Sequence, residues 1–167
     1  MNESGRIAGV IGVLFGLFGT GVQADRSVLN RYVGSWEVRV KTLHPAKPDL
    51  TYTEVYEWVL DRHFIRGKTG KKSDGFEDII YGTYDAKSDG YPFWIFSSSG
   101  DYTYLPPATW NGRRQLMEWK NPSGWDINYS GSCLFPDNNT RRCSLIMQDW
   151  KGKVLLQQEW TASRIMH

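Results

Sequence analysis

The chain has 167 residues, 20 of them Lys or Arg and 18 Asp or Glu, with a formal net charge of +2 at pH 7. The basic residues are scattered along the sequence, which argues against a nucleic-acid-binding surface. The length suits one domain with its own hydrophobic core rather than a small protein held together by disulfides.

Residues 1–24 have the pattern of a secretory signal peptide. A short polar segment with one basic side chain, Arg6, precedes the apolar run 7–18, and Val22-Gln23-Ala24 places small residues at the two positions read by a signal peptidase. The run is shorter than the roughly 18 residues of a spanning helix, and no cysteine follows it to accept a lipid. We expect cleavage after Ala24 and export to the periplasm or the extracellular space. An uncleaved membrane anchor is the alternative.

The remaining residues, 25–167, are predicted to form a single, nearly all-β domain. All eight Trp and all nine Tyr lie in this part, and aromatic residues favour the half-buried surfaces of sheets. The first strand begins at Gly34-Ser35-Trp36 and alternates apolar with charged residues as far as Leu43. We expect Trp36 to face inward, because Glu37 and Arg39 alternate with the apolar positions. The segment 27–33 before it predicts a short helical turn.

Nine further strand-like runs follow, and turn residues separate almost all of them. Asp61-Arg62 predicts a tight reversal, and Asn111-Gly112 is the strongest signal for a two-residue hairpin turn. Pro106-Pro107 predicts a bulge, bend or edge that breaks the sixth strand, because proline cannot donate to a ladder. The other runs are 51–60, 63–69, 76–84, 91–96, 114–120, 125–135, 141–150 and 154–165.

Short reversals between all strands predict an antiparallel sheet, since no run has helical periodicity long enough for a crossover. An open sheet of this size would leave two unpaired edges, which closure removes. We therefore predict an antiparallel up-and-down β-barrel of about ten strands with a short N-terminal helical turn. A two-sheet sandwich is the alternative, although it usually needs long crossings between sheets.

Cys133 and Cys143, the two cysteines, flank the turn at 136–139 at nearly equal distances from its centre. The alternation of residues points both inward on neighbouring strands, about as close as cross-strand partners come. In an exported protein this predicts a disulfide. The alternative is a pair of small buried hydrophobic side chains.

The first and last strands of the predicted barrel are expected to pair with each other. Arg164 shares a face of the last strand with Trp160. If the first and last strands pair antiparallel, Arg164 lies over Trp36 within about 6 Å of its ring, a cation–π contact. An exposed terminal arginine is the alternative, since chain ends often fray.

The Gly-x-Trp of the first strand and the basic residue of the last resemble the calycins (lipocalins and fatty-acid-binding proteins), in which a C-terminal basic residue covers that Trp. The runs EWVLDRHFIR at 57–66, YGTYD at 81–85 and EWT at 159–161 resemble more specifically the exported, lipocalin-like domain of unknown function 1579. The resemblance covers most of residues 25–167. It implies the barrel and implies no activity.

Neither a metal nor a cofactor is predicted. His44, His63 and His167 are not at ligand spacing, and Ile165 and Met166 separate His167 from the last strand, which argues against a haem ligand there. A nucleophile elbow and a phosphate-binding glycine loop are also missing from the sequence.

Four carboxylates each precede a Trp, and they point to solvent if the Trp side chains face inward. These four are Glu57, Glu118, Asp149 and Glu159. The alternative places one of them, best Glu57, inside a cavity as an acid or base. Arg66 is a candidate to reach into the barrel and bind a ligand carboxylate, and the alternative is an exterior charge beside an inward Ile65.

The predicted function is binding of a small, largely apolar molecule inside an exported barrel. A small hydrophobic ligand is the expected partner, and its candidate contacts are Arg66, Trp58, Trp119, Tyr129 and Trp160. One alternative is a structural or interaction barrel filled by aromatic side chains, and another is a barrel enzyme acting on such a molecule. An empty cavity of about a few hundred Å³ would favour binding.

Overall fold

The computed structural model describes residues 25–121 and 126–166, so the predicted signal peptide, Trp125 and His167 lie outside the described residues. A 3₁₀ helix, Arg26–Arg31, confirms the predicted helical turn. Ten strands follow it: β1 Gly34–His44, β2 Leu50–Val59, β3 Phe64–Thr69, β4 Asp78–Thr83, β5 Tyr91–Ser97, β6 Tyr102–Asn111, β7 Leu116–Lys120, β8 Ile127–Leu134, β9 Thr140–Asp149 and β10 Val154–Arg164. In these two ranges no helix combines the length and the hydrophobicity that crossing a membrane would take.

The ten strands form a closed antiparallel barrel. Each strand pairs with the next in the chain, and β10 pairs with β1 to complete the circle. The predicted up-and-down barrel is confirmed, and the sandwich is excluded. Closure leaves none of the ten strands as an edge, which explains how a sheet of this size avoids pairing with other chains.

Two of the predicted tight turns are longer than the sequence suggested. β6 ends at Asn111 and β7 begins opposite it at Leu116, so Asn111-Gly112 is not a two-residue turn. The Asn111 side chain instead accepts a hydrogen bond from the Arg114 backbone N–H at 3.1 Å, and Gln115 supplies the left-handed residue with φ 52°. The reversal between β2 and β3 is four residues long, 60–63, and its first three residues all have positive φ.

Pro106-Pro107 produces a bulge, as predicted, but the predicted break in the strand is wrong. β6 runs unbroken from Tyr102 to Asn111, and its register against β5 shifts so that Tyr91 opposes Ala108 while Phe93 opposes Leu105. The bulge leaves a residue out of the ladder, and this is where proline can be accommodated in a sheet.

Inward-facing glycines make room for large rings on neighbouring strands. Three such residues lie directly opposite an aromatic residue, in the pairs Gly67 with Tyr56, Gly82 with Phe93 and Gly131 with Trp119. A Cβ added to Gly82 would lie 2.5 Å from a carbon of the Phe93 ring. Each of these three aromatic rings thus lies against the backbone of the glycine opposite it, and a side chain at that glycine would cause overpacking.

The 3₁₀ helix covers one end of the barrel. Its Leu29 side chain is fully buried, and its Asn30 side chain accepts a hydrogen bond from the Trp58 indole N–H at 2.8 Å. The Tyr91 hydroxyl donates to the Asp25 carbonyl at 2.9 Å. These contacts tie the helix to β2 and β5, which lie on different sides of the barrel opening.

Cys133 on β8 and Cys143 on β9 form the predicted disulfide. They are directly opposed in the ladder, with Cα atoms 4.1 Å apart, and both side chains are buried. The bond therefore joins two strands that are already neighbours and closes a short loop.

Replacing both cysteines by alanine is expected to lower the free energy of unfolding by about 2 to 3 kcal/mol, the entropy of a loop of this length. Urea denaturation under non-reducing conditions measures the loss. The matched control replaces Ser132 and Ser144, an opposed pair on the outer face of the same strands, and should change stability far less. Equal losses in the two double variants would contradict the prediction.

Candidate functional site

Trp36 and Arg164 close the barrel at the helix-covered end, as predicted. Trp36 is fully buried and opposes Arg164 in the ladder, whose guanidinium carbon lies 4.3 Å from the ring centroid. Arg164 also donates to the carbonyls of Val33 at 2.5 Å and Asn138 at 2.8 Å. Gly34 has φ 123° and lies against this guanidinium, so only glycine suits the position.

Substituting Arg164 by methionine should lower the free energy of unfolding by about 1 to 3 kcal/mol, since the cation–π contact and the carbonyl hydrogen bonds are both lost. The melting temperature and the Trp fluorescence spectrum report the change. Arg142→Met provides the control, because Arg142 is an exposed residue on neighbouring β9. If Arg164→Met matches the parent protein in both measurements, the contact does not contribute to closure.

A cavity of about 170 Å³ lies inside the barrel between the inward faces of its strands. Much of its wall is apolar, and Ile80, Ile95, Leu105, Ala108 and Met117 contribute to it. The aromatic side chains have therefore not filled the interior completely. The remaining space is smaller than the few hundred Å³ that the sequence interpretation named as favouring binding.

The polar part of the cavity wall contains a buried ion pair. Arg141 on β9 contacts the Glu54 carboxylate on β2, and the two side chains are 4% and 5% exposed. β10 and β1 lie between these strands, so the pair crosses the interior. The Arg141 guanidinium also lies over the rings of Tyr32 at 4.9 Å, Trp36 at 5.0 Å and Tyr56 at 5.6 Å. The two opposite charges thus compensate each other inside the barrel, and the Arg141 Nε atom has no hydrogen-bond partner among the described residues.

Burial controls the ionisation of the groups around this pair. Burial raises the pKa of Tyr32 to about 12, although the positive charge of Arg141 acts in the opposite direction. Burial likewise raises the pKa of Tyr52 to about 12 and the pKa of Tyr56 well above its usual value. It lowers the pKa of Arg141. The phenols are therefore neutral donors and acceptors at physiological pH.

Two of the five predicted ligand contacts line the cavity. Trp119 and Trp160 both contribute to its wall, with ring centroids 6.5 Å apart. Trp58 lies instead under the helix, bonded to Asn30, with the Arg62 guanidinium 5.0 Å from its ring. The Tyr129 hydroxyl donates to the Tyr104 carbonyl at 3.1 Å, and its side chain is not part of the cavity wall.

The interpretation of Arg66 as an interior ligand contact is wrong. Arg66 lies on the outer face of β3 beside the inward Ile65, and its guanidinium pairs with Glu57 on the outer face of β2. Both side chains are about half exposed. The alternative of an exterior charge is confirmed, and the same pairing excludes Glu57 as an interior acid or base. Glu118 and Glu159 are exposed as well.

Arg141 and Glu54 are the interior charges that sequence reasoning missed. A signal was present, because Arg141 precedes Cys143 by two residues and Glu54 precedes Trp58 by four. Both therefore share the inward face with a residue that the alternation already directed inward. Among the described residues, no group of three His, Cys, Asp or Glu side chains could hold a metal ion.

Solved structures with this fold include natural barrels. Rv2717c from M. tuberculosis is similar over 84% of this chain and 96% of its own, at 16% identity and a TM-score of 0.58. The S-type phycobiliprotein lyase CPES from Guillardia theta is similar over 84% of this chain and 92% of its own, at 11% identity and a TM-score of 0.51. These neighbours are lipocalin-like barrels, and the fold of this chain is lipocalin-like. No family model matches the chain, and no match is found among curated proteins.

Proposed function

We propose that this protein binds one small, largely apolar molecule inside its barrel. The observation that carries the proposal is the cavity of about 170 Å³ that inward side chains of the strands line. A cavity of about 150 Å³ in another protein is known to hold benzene, so the space here suits a molecule with a single ring. An apolar ring would bury its surface against the aliphatic wall and gain the free energy of leaving water.

The groups that line the interior favour binding of a ligand chosen by its size and polarity over catalysis of a reaction of that ligand. A carboxylate in the cavity wall would favour the alternative of an enzyme, but Glu54 is already paired with Arg141. The alternative of a filled structural barrel gains some support from the small cavity volume. Binding of a ring-sized molecule is the measurement that separates these functions.

Titration of the purified protein with toluene, followed by Trp fluorescence, tests the proposal, since Trp119 and Trp160 line the cavity. We expect saturable binding that Ala108→Phe abolishes, because the added ring occupies the cavity. Thr109→Phe is the matched control, because Thr109 is the next residue on β6 and is exposed. Absence of saturable binding in the parent, or unchanged binding in Ala108→Phe with native near-ultraviolet circular dichroism, would overturn the proposal.

Export and family membership are part of the same proposal. The disulfide between Cys133 and Cys143 supports an oxidising compartment, and the lipocalin-like fold agrees with the resemblance to the exported domain of unknown function 1579. Native mass spectrometry of protein purified from its own periplasm or medium tests the export directly. The expected polypeptide begins at Asp25, and a copurified molecule would identify the ligand. Recovery only of the uncleaved chain would favour the membrane anchor.

A further inference from the structure

Two tyrosine side chains of β2 bring unpaired hydroxyl groups to the cavity. Tyr52 and Tyr56 both line it, and Tyr56 is only 5% exposed. Within residues 25–121 and 126–166 neither hydroxyl has a hydrogen-bond partner, and neither is among the unpaired polar atoms that are fully enclosed. Both hydroxyls therefore keep accessible surface, which for a side chain as buried as Tyr56 is surface of the cavity. Buried polar groups in native proteins nearly always have a partner, and here a bound molecule can supply it.

Three other polar atoms of the cavity wall are not available to a ligand. Trp119 Nε1 and Arg141 Nε have no partner among the described residues, but both atoms are fully enclosed, so a molecule in the cavity cannot reach them. The Tyr32 hydroxyl already donates to Met117 Sδ at 3.4 Å. The two hydroxyls of β2 differ from these atoms because each is both unpaired and accessible.

The position of the Tyr56 hydroxyl is well defined. Tyr56 opposes Gly67 in the ladder, and a Cβ on that glycine would lie 2.7 Å from Cζ, the ring atom that carries the hydroxyl. The Tyr32 ring packs against the Tyr56 ring with 5.6 Å between centroids, and the Arg141 guanidinium carbon lies 5.6 Å from the Tyr56 ring centroid. A group fixed by its neighbours does not have to be ordered when a ligand arrives, so the hydrogen bond costs little conformational entropy.

The two hydroxyls act as hydrogen-bond donors. A neutral phenol donates a stronger hydrogen bond than it accepts, because the ring withdraws electron density from its oxygen. Burial raises the pKa of Tyr52 to about 12 and the pKa of Tyr56 well above its usual value, so both hydroxyls keep their proton at physiological pH. The partner that they lack is therefore an acceptor, and a ligand oxygen provides one.

The charges of the cavity wall indicate the charge of its ligand. Arg141 is neutralised by Glu54, and Asp78 is neutralised by Lys72 at 2.8 Å. A ligand with a net charge would therefore enter an already balanced interior and lose its solvation without an opposite charge to replace it. An uncharged ligand avoids this loss.

From the two free hydroxyls, the size of the cavity and the balance of charge, we propose that the cavity binds an uncharged, single-ring molecule with an acceptor oxygen, most simply a carbonyl, to which the hydroxyls of Tyr52 and Tyr56 donate. This inference rests on the proposed binding function and specifies its ligand class. The aliphatic wall contacts the ring of the ligand, and the inward face of β2 orients its oxygen.

Two probes of equal shape test the inference on the full chain by titration followed by Trp fluorescence. Acetophenone carries a carbonyl oxygen, and α-methylstyrene has a CH₂ group in its place. We expect acetophenone to bind about fivefold more tightly, the contribution of one hydrogen bond. Benzoate, which carries a negative charge, should bind more weakly than acetophenone. Benzoate binding as tightly as acetophenone would overturn the inference of an uncharged ligand.

Matched Tyr→Phe variants test the donors, since each removes one oxygen and keeps the ring. The double variant Tyr52→Phe/Tyr56→Phe should lose the preference for acetophenone. Tyr32→Phe is the control and should retain the preference, because that hydroxyl is already bonded to Met117.

The outcomes separate this inference from the binding function. Equal affinities of the parent for acetophenone and α-methylstyrene, or a preference that persists in the double variant, would overturn the inference and leave the binding function standing. Binding of neither probe to the parent would overturn both. If the double variant does not fold, the two single variants decide, and an unchanged preference in both would overturn the inference.

Discussion

Replacing Arg141 by methionine is expected to lower the free energy of unfolding by about 3 to 5 kcal/mol, the cost of removing one member of a buried ion pair. The variant leaves the Glu54 carboxylate in the interior with no opposite charge beside it, since both side chains are almost fully buried. The rings of Tyr32, Trp36 and Tyr56 also lose the cation that lies over them. Guanidinium denaturation at pH 7 measures the loss.

A second substitution shows whether the lost stability comes from the uncompensated charge. Glu54→Leu introduced into Arg141→Met removes the carboxylate, and most of the stability should return, because a buried pair replaced by apolar residues is often neutral or stabilising. Arg39→Met is the control, since Arg39 is exposed and pairs with Glu37 on the outer face of β1. A double variant as unstable as Arg141→Met would contradict the electrostatic explanation.

Replacing Trp36 by alanine is the second large effect, a loss of about 3 to 5 kcal/mol for a fully buried aromatic side chain. The guanidinium groups of Arg164 and Arg141 both lie over this indole, at 4.3 and 5.0 Å from the ring centroid. The variant also leaves the Tyr32 carbonyl without its donor. Thermal unfolding followed by near-ultraviolet circular dichroism measures the effect.

Two other substitutions bracket this result. Trp36→Phe keeps a ring under the two guanidinium groups and loses the indole N–H, so its melting temperature should fall between those of the parent and Trp36→Ala. Trp150→Ala serves as the control for a lost indole, because Trp150 is 70% exposed in the turn after β9. If Trp150→Ala costs as much stability as Trp36→Ala, the closure of the barrel does not depend on Trp36.

Local alternation was enough to predict most of the barrel. Trp36 and Val38 alternate with charged residues, so their inward direction follows from the period of a strand, and the structure has both fully buried. The disulfide and the contact of Arg164 with Trp36 could be predicted for the same reason. Each of these contacts depends only on which face of its strand a residue occupies and on which strands pair as neighbours.

The cavity wall was harder to predict because its determining contacts cross the barrel. Glu54 and Arg141 lie on strands separated by β1 and β10, and nothing in either local pattern names the other as a partner. Arg66 was misplaced because only one of its two inward neighbours, Ile65, gives a hydrophobic signal, whereas the other, Gly67, has no side chain. The space that a side chain at position 67 would need is occupied by the Tyr56 ring from the neighbouring strand.

The pairing of β1 with β10 also limits how the chain can be assembled. Nine pairings join consecutive strands and can form as each hairpin emerges during synthesis, whereas β1 must wait for the final strand. That closure spans nearly the whole domain and is therefore slow. Until it occurs, β1 and the newest strand expose unpaired backbone groups to other nascent chains. Translation interrupted before β10 would leave both edges exposed, so we expect the need for chaperones to last until the final strand has been made.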